Sequence, residues 1–214
     1  MKDLTELLRA NPYPGRGIVA GSGRVLYFIM GRSENSRNRI FVPTADGIRT
    51  EAHDPARMQD PSLIIYHPVR RVGRDLVVTN GDQTDTIRDA LVAGSDFRRA
   101  LLGREYEPDS PHYTPRISSI LHEDGSFELS ILKRVAGRCL RAFYCYEGSD
   151  DGRGFFLSTY AGDGNPLPSF AGEPVEVAMP DPAEVWAALD PANKVSMYVW
   201  EQGKETIFNK NRGD

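Results

Sequence analysis

The sequence has little cysteine, and its two cysteines are badly placed for a crosslink. Cys139 and Cys145 both fall within one predicted strand, residues 138–147. Two thiols at these positions of an extended chain lie roughly 20 Å apart, far beyond the reach of a disulfide. We therefore expect two free, buried or half-buried thiols in a reducing compartment.

Long hydrophobic runs are also missing. No apolar run approaches the roughly 18 residues that a membrane-spanning helix needs. The N-terminal residues Met1 to Leu4 lack the long apolar segment of a secretory signal. These absences predict a cytoplasmic protein that makes no membrane contact.

Further classes of ligand are disfavoured by what the sequence lacks. The formal net charge of -4 gives no general attraction for nucleic acid. The four histidines are scattered and no cysteine–histidine spacing suggests zinc, so we expect no metal. The glycine pattern and lysine of a phosphate-binding P-loop are absent, which argues against nucleoside triphosphates.

What the sequence does contain is enough apolar residues for one folded domain. Its 214 residues are 40 % hydrophobic, which predicts a single domain, residues 1–214, with a substantial core. The run Val25 to Met30 is apolar on both faces and predicts a strand that is covered on both sides. About ten strands with few helices predict an α+β protein with stacked sheets.

Turn signals and apolar periodicity predict the individual elements. Asp82 is expected to cap the helix that starts there. Predicted helices cover residues 3–10, 82–93, 96–102 and 182–189. Predicted strands cover residues 17–21, 24–30, 38–43, 47–52, 62–67, 66–72, 74–79, 116–122, 126–134, 138–147, 155–160, 174–179, 194–201 and 204–208.

One polar stretch, Gly31 to Arg39, stands between the apolar runs Val25 to Met30 and Ile40 to Val42. It carries three arginines together with asparagines and serines. Guanidinium groups bind phosphate and carboxylate through two hydrogen bonds at once, and the smaller polar side chains add adaptable ones. The composition predicts an anion- or nucleotide-binding loop at the end of a buried strand. A polar surface loop is the alternative.

Three other polar clusters stand in loops or at strand ends, and each also has an ordinary explanation. Tyr66 could be a core or rim aromatic, Asp82 only a cap, and Glu107 a solvated carboxylate before a proline. The free N–H groups at the predicted helix start favour an anion such as phosphate. The clusters are Tyr66 to Arg70, Asn80 to Asp85, and Tyr106 to Asp109 continuing to Thr114-Pro115-Arg116.

Together these motifs resemble the archaeal-type IMP cyclohydrolases. The resemblance is specific over residues 12–120 and rests mainly on strand pattern thereafter. It implies a four-layered αββα sandwich like that of the N-terminal-nucleophile hydrolases, without their nucleophile. The motifs occur in the order Tyr13-Pro14-Gly15-Arg16-Gly17, Gly31-Arg32-Ser33 ending in Asn38-Arg39, Tyr66 with Val69-Arg70, Asn80-Gly81 with Thr84-Asp85, and Tyr106-Glu107 with Thr114-Pro115-Arg116-Ile117.

The resemblance implies closure of 5-formamidoimidazole-4-carboxamide ribonucleotide to IMP with loss of water, the last step of purine synthesis, without a cofactor. Matched by position, Arg32 fixes and polarises the carboxamide and formyl oxygens. Tyr66 donates a proton to the formyl oxygen, and Glu107 orients or deprotonates the attacking amide. Implied substrate contacts are Ser33, Arg39, Asn80, Thr84, Thr114 and Arg116. Lys133 is either a cleft residue or a solvated strand lysine.

Two departures and two alternatives stay open. Residues 33–37 and 109–113 match the motif loosely, so substrate specificity could differ. An amide hydrolase with an N-terminal nucleophile needs a Cys, Ser or Thr freed as residue 1, whereas here Met1 leads into a helix. A non-catalytic or divergent purine or imidazole ribonucleotide-binding protein is the other alternative. The expected partner is a small ribonucleotide, and apolar strands at both ends are compatible with a homo-oligomer.

Overall fold

The computed structural model of the protein describes residues 1–213 as an α+β fold built on two antiparallel sheets. The strands are β1 (Arg16–Gly21), β2 (Arg24–Met30), β3 (Arg39–Thr44), β4 (Gly47–Ala52), β5 (Val69–Val72), β6 (Asp75–Thr79), β7 (Arg116–Leu121), β8 (Phe127–Val135), β9 (Arg138–Tyr146), β10 (Arg153–Ser158), β11 (Val175–Ala178), β12 (Lys194–Glu201) and β13 (Lys204–Asn209). The α-helices are α1 (Leu4–Ala10), α2 (Glu34–Arg37), α3 (Gln83–Val92), α4 (Phe97–Leu102) and α5 (Pro182–Ala188), and Pro55–Arg57 and Lys210–Arg212 form short 3-10 turns.

The two sheets face each other across a shared core. The first has the strand order β11-β10-β1-β2-β12-β13 and the second β3-β4-β5-β6-β7-β8-β9. One hydrophobic cluster lies between them, with Tyr27 and Leu157 from the first sheet and Phe41 and Ile117 from the second. A second cluster joins the first sheet to α1 and α5, and a third joins the second sheet to α3 and α4. This packing is compatible with the predicted sandwich.

Strand β2 shows how the sequence produces this layering. Residues 25–30 are all buried. Because successive side chains of a strand point to opposite faces, Tyr27 and Ile29 enter the core between the sheets. Leu26 and Phe28 pack on the other side with the helices. The prediction of a strand covered on both sides is confirmed.

The helix starts follow the capping rules with one exception. Asp3, Asp96 and Asp181 accept backbone N–H bonds at the starts of α1, α4 and α5. Asp82 occupies the corresponding position before α3 but makes no side-chain capping bond within the described chain. Its carboxylate pairs instead with Arg104 and Arg116. Asp82 therefore occupies the predicted N-cap position, but its carboxylate binds two guanidinium groups and makes no capping bond.

The predicted strand at residues 62–67 is wrong. These residues form turns, in which the carbonyl of Pro61 accepts hydrogen bonds from the N–H groups of Ile64 and Ile65. Thr50 forms hydrogen bonds with both backbone groups of Tyr66. Its N–H donates to the Tyr66 carbonyl, and its hydroxyl oxygen accepts from the Tyr66 N–H. The turn at Pro61 and the bonds from Thr50 together override the strand preference of the apolar run. A second difference is the one-turn helix α2, capped by Ser33, inside the predicted loop.

The expectations about the two cysteines and about membrane-spanning helices can be compared with the structure. Cys139 and Cys145 are free thiols, the first half-buried and the second exposed. Among residues 1–213, no helix is long and apolar enough to cross a membrane.

Asn209 ties the edges of the two sheets together. Its side chain accepts hydrogen bonds from the Phe41 N–H (2.7 Å) and the Ser196 hydroxyl (2.7 Å), and donates to the Phe41 carbonyl (3.0 Å). Phe41 belongs to the second sheet and Ser196 to the first. Two residues further on, Asn211 donates to the carbonyls of Arg37 (2.8 Å) and Arg39 (3.2 Å). The C-terminal segment thus fixes the loop at residues 31–39.

Asn209→Ala is expected to lower the free energy of unfolding by about 2 to 4 kcal/mol, because it leaves buried backbone groups of Phe41 without partners. Urea denaturation followed by fluorescence measures the change. Asn35→Ala is the matched control, since the hydrogen bonds of the Asn35 side chain are exposed. Loss of these bonds should lower the free energy of unfolding by less than about 1 kcal/mol. Equal effects of the two variants would contradict the tie between the sheets.

Candidate active site

Arg16 is a buried cation whose guanidinium group has no acceptor in the described chain. It begins β1 and shares the face of Ile18 and Ala20, so it points toward the second sheet. The residue is only 8 % exposed, and its Nε atom is buried without a hydrogen-bond partner. Burial works to lower the pKa of Arg16, but Glu107 and the nearby tyrosines together outweigh it and raise this pKa above the ordinary value. Arg16 is therefore charged and open to a ligand.

Glu107 is the carboxyl group opposite that cation. It lies between α4 and β7, is 2 % exposed, and has a buried Oε1 atom without a hydrogen-bond partner among the described residues. Burial raises the pKa of Glu107 to about 7, although the charges of Arg16, Arg116 and Arg39 work in the opposite direction. A carboxyl group with this pKa can both give and take a proton near neutral pH.

Gly81 lets the backbone approach this carboxyl group closely. A Cβ atom at Gly81 would lie 2.5 Å from Nη1 of Arg116 and 3.5 Å from Oε1 of Glu107, so only glycine fits without a shift. The same Nη1 atom donates to Gln83 (2.6 Å) and pairs with Asp82 (2.7 Å). The Nε atom of Arg116 is buried and unpartnered in the described part of the chain. The turn before α3 therefore forms one wall of the site.

Tyr66 adds a hydroxyl group to the buried cluster that contains Arg16 and Glu107. Its Oη atom lies 2.9 Å from that of Tyr27, which comes from the first sheet. Tyr66 is 7 % exposed, and its hydroxyl interacts electrostatically with Arg16 and Arg39. The site is thus assembled from both sheets, with Arg16 and Tyr27 on one side and Tyr66 and Glu107 on the other.

Arg39 is a second fully buried cation. Its Nε atom donates to the Ser36 carbonyl at 2.7 Å, while its Nη1 atom is buried with no partner among residues 1–213. Burial lowers the pKa of Arg39, and the charge of Tyr66 opposes this effect. A free N–H on a buried guanidinium favours an anionic ligand, and the substrate contact of Arg39 stays a prediction.

Arg32 lies at the rim, unlike the other predicted catalytic residues. Its side chain is 33 % exposed and pairs with Asp163 at 2.6 Å. Its guanidinium carbon lies 5.0 Å from the ring centre of Tyr13. Tyr13 stacks on Tyr160, and both interact electrostatically with Arg16. Arg32 therefore contacts the cluster through Tyr13, whereas Tyr66 and Glu107 belong to it directly.

Three residues that were predicted to contact the substrate use their side chains in hydrogen bonds within the protein. Ser33 caps α2. Asn80 donates to the Pro115 carbonyl (2.9 Å) and accepts from the Ile117 N–H (2.8 Å). The Thr84 hydroxyl bonds that of Thr79 at 2.6 Å. These side chains hold the walls of the site together.

Of two further residues singled out from the sequence, Thr114 contacts the cluster through Tyr160, and Lys133 binds a neighbouring loop. The Thr114 hydroxyl bonds Asp109 and lies 2.5 Å from the Tyr160 hydroxyl. Lys133 donates to the Phe170 carbonyl at 2.5 Å, and burial lowers its pKa.

Within residues 1–213, no group of three or more His, Cys, Asp or Glu side chains is arranged to hold a metal ion.

Neither Arg16 nor Tyr27 has a role that was predicted from the sequence. A signal for Arg16 was present: in a strand with period two, it shares the inward face of Ile18 and Ala20. A charged residue on such a face is rarely buried without a function or a partner. Tyr27 carried no such signal, because one tyrosine within an apolar strand is typical of a core.

Glu107→Gln is expected to stabilise the protein at high pH. The carboxyl group has an ordinary pKa of 4.5 and a folded-state pKa of about 7. The stabilising contribution of its protonated form is complete below pH 4.5 and is lost as the pH rises through 7. Glutamine imitates that protonated form, so the variant should gain about 3 kcal/mol over the wild type between about pH 4 and pH 9.

Urea denaturation across that pH range measures this difference. Glu105→Gln is the matched control, because Glu105 lies in the same segment with a side chain that is 66 % exposed. A Glu107→Gln difference that stays constant with pH would contradict the buried carboxyl group.

Comparison with known proteins identifies the family. The family model described as IMP cyclohydrolase-like protein matches residues 13–205. A protein named IMP cyclohydrolase from Methanopyrus kandleri is 34 % identical over 156 residues, covering 69 % of this chain and 75 % of that protein. One with the same name from Methanococcus aeolicus is 29 % identical over 157 residues, covering 69 % and 74 %. Another, from Haloquadratum walsbyi, is 30 % identical over 120 residues, covering 51 % and 56 %.

The matched range contains every residue of the buried cluster, from Tyr13 to Tyr160. The resemblance found in the motifs is confirmed, and the chain belongs to the family of IMP cyclohydrolase-like proteins.

Proposed function

We propose that the protein is an IMP cyclohydrolase, which closes 5-formamidoimidazole-4-carboxamide ribonucleotide to IMP with loss of water. The name shared by its relatives supports this activity. The observation that carries the proposal is Glu107, a carboxyl group with a pKa of about 7 and a free oxygen, buried opposite Arg16. Ring closure requires such a group at neutral pH, because a proton must leave one atom and reach another.

The reaction is intramolecular, so its demands are positioning and proton transfer. The carboxamide nitrogen attacks the formyl carbon of the same molecule, and no external nucleophile is needed. The site must hold the rotamer in which these atoms meet. It must also stabilise negative charge on the formyl oxygen.

In the addition step, Glu107 and Tyr66 act as base and acid. The C–N bond forms as the π bond of the formyl group breaks. The Glu107 carboxylate takes the proton that the carboxamide nitrogen loses, and Tyr66 gives its hydroxyl proton to the formyl oxygen. The product is a ring carbon that bears a hydroxyl group, next to a protonated Glu107 and a Tyr66 phenolate.

The dehydration step returns both protons. Glu107 protonates the departing hydroxyl group as the C–O bond breaks and water leaves. A C=N bond forms in the ring, and the Tyr66 phenolate accepts the proton that the ring nitrogen loses. Each group ends in its starting protonation state, so the cycle is balanced without a cofactor.

The arginines supply the positive charge that these steps need. Arg16 and Arg39 have unpartnered N–H groups and stabilise the developing oxyanion and the phenolate, or bind the substrate phosphate. Arg32 exchanges Asp163 for the carboxamide and formyl oxygens when substrate binds. Arg116 and Thr114 complete the binding surface. Substrate contacts from Ser33, Asn80 and Thr84 stay predictions.

The proposal includes a four-layered αββα architecture like that of the N-terminal-nucleophile hydrolases. Helices on the outer face of each sheet support it. A single domain, a cytoplasmic location, a small ribonucleotide as the partner, the absence of nucleic acid and membrane partners, and a homo-oligomer stay predictions.

Incubation with the formamido ribonucleotide is expected to produce IMP, followed by its ultraviolet absorbance. Glu107→Gln should reduce turnover by about 10²- to 10⁴-fold, because the base is removed. Glu105→Gln should keep wild-type activity. Nucleotide binding without IMP formation by the wild type would contradict the proposal and favour a non-catalytic binding protein.

Arg32→Ala is expected to abolish turnover while leaving thermal unfolding nearly unchanged. The ion pair with Asp163 is exposed, and such pairs contribute about 0 to 1 kcal/mol to stability. Arg74→Ala is the control, since its side chain is 76 % exposed and pairs with Glu123. A fully active Arg32→Ala variant would remove Arg32 from the catalytic group.

A further inference from the structure

Tyr27 places a hydroxyl group deep in the core between the sheets. The residue is fully buried. Its Oη atom lies 2.9 Å from that of Tyr66, and no other hydrogen bond to this hydroxyl is found within residues 1–213. A buried hydroxyl group whose only partner is a proposed acid has a specific electrostatic effect on that acid.

The direction of this hydrogen bond follows from the surroundings. If Tyr66 were the donor, the Tyr27 proton would be buried with no acceptor, which is costly. Tyr66 is 7 % exposed, so its own proton can point toward a ligand instead. Burial raises the pKa of Tyr27 well above its ordinary value, with a further contribution from Tyr66. Tyr27 thus keeps its proton and donates it.

The other charges around the pair act on both hydroxyl groups. Arg16 from β1 and Arg39 from β3 interact electrostatically with Tyr27 and with Tyr66. The Tyr27 ring stacks on Phe41 of the second sheet, with centroids 5.8 Å apart. The ring is therefore held in place independently of its hydroxyl group.

We propose that Tyr27 is a positioning residue for the ring closure: it donates its hydrogen bond to Tyr66 Oη, directs the Tyr66 proton toward the substrate and stabilises the Tyr66 phenolate. This inference rests on the proposed function. It assigns a role in acid catalysis to a side chain that the substrate does not touch.

A double-mutant cycle of Tyr27→Phe and Tyr66→Phe tests the inference. Tyr27→Phe should lower kcat about tenfold or more, because a hydrogen bond to a charged oxygen is lost. The KM and the Kd for IMP should stay within about twofold of the wild type, since this bond acts on the reacting state. Tyr66→Phe should lower kcat about a hundredfold or more. The double variant should match Tyr66→Phe, because Tyr27 then has no phenolate to stabilise.

Tyr198→Phe is the matched control. Tyr198 is the cross-strand neighbour of Tyr27 on β12, is equally buried, and its hydroxyl has no hydrogen bond to Tyr66. This variant should keep the wild-type kcat. A kcat loss for Tyr27→Phe that adds fully to that of Tyr66→Phe, or equals that of Tyr198→Phe, would overturn the role of Tyr27 while the ring closure stands. A wild-type enzyme that forms no IMP would overturn the proposed function and this inference together.

Discussion

The site depends on one costly arrangement, the burial of the Arg16 guanidinium opposite the Glu107 carboxyl group between two sheets. Charges inside a protein are expensive unless they are paired and fully hydrogen-bonded. Here Arg16 Nε and Glu107 Oε1 are buried without hydrogen-bond partners in the described chain. Mutual attraction offsets part of the cost, and the carboxyl group adjusts its pKa to about 7. The remaining hydrogen-bonding capacity is available to a ligand that presents both donors and acceptors, as a carboxamide ribonucleotide does.

The fold makes this arrangement possible because each sheet supplies half of it. Arg16 and Tyr27 come from the first sheet, and Tyr66 and Glu107 flank strands of the second. Neither set is a site alone. The sheets must therefore be held in register, and Asn209 bonds both of them at their edges. This divided origin explains why residues far apart in sequence take part in one reaction.

Much of the fold could be predicted from the sequence, because hairpins have strong local signals. The run of apolar residues in β2 correctly indicated a strand covered on both faces. Predictions failed where a side chain binds a partner that is distant in sequence. Asp82 binds arginines instead of the backbone at the helix start, and Thr50 forms hydrogen bonds with the backbone of Tyr66. The motifs led to Glu107, but they do not show that Tyr27 meets Tyr66. That contact depends on the packing of the two sheets.

The proposed chemistry depends on a Glu107 carboxyl group that titrates near neutral pH inside this cluster. The most direct measurement is carbon-13 NMR of the glutamate side-chain carboxyls in labelled protein, with the Glu107 signal assigned through Glu107→Gln. A titration midpoint at about pH 7 is expected, because burial raises the pKa of this carboxyl group. A Glu107 midpoint at the ordinary value of 4.5 would show a solvated carboxyl group and contradict a buried base at this position.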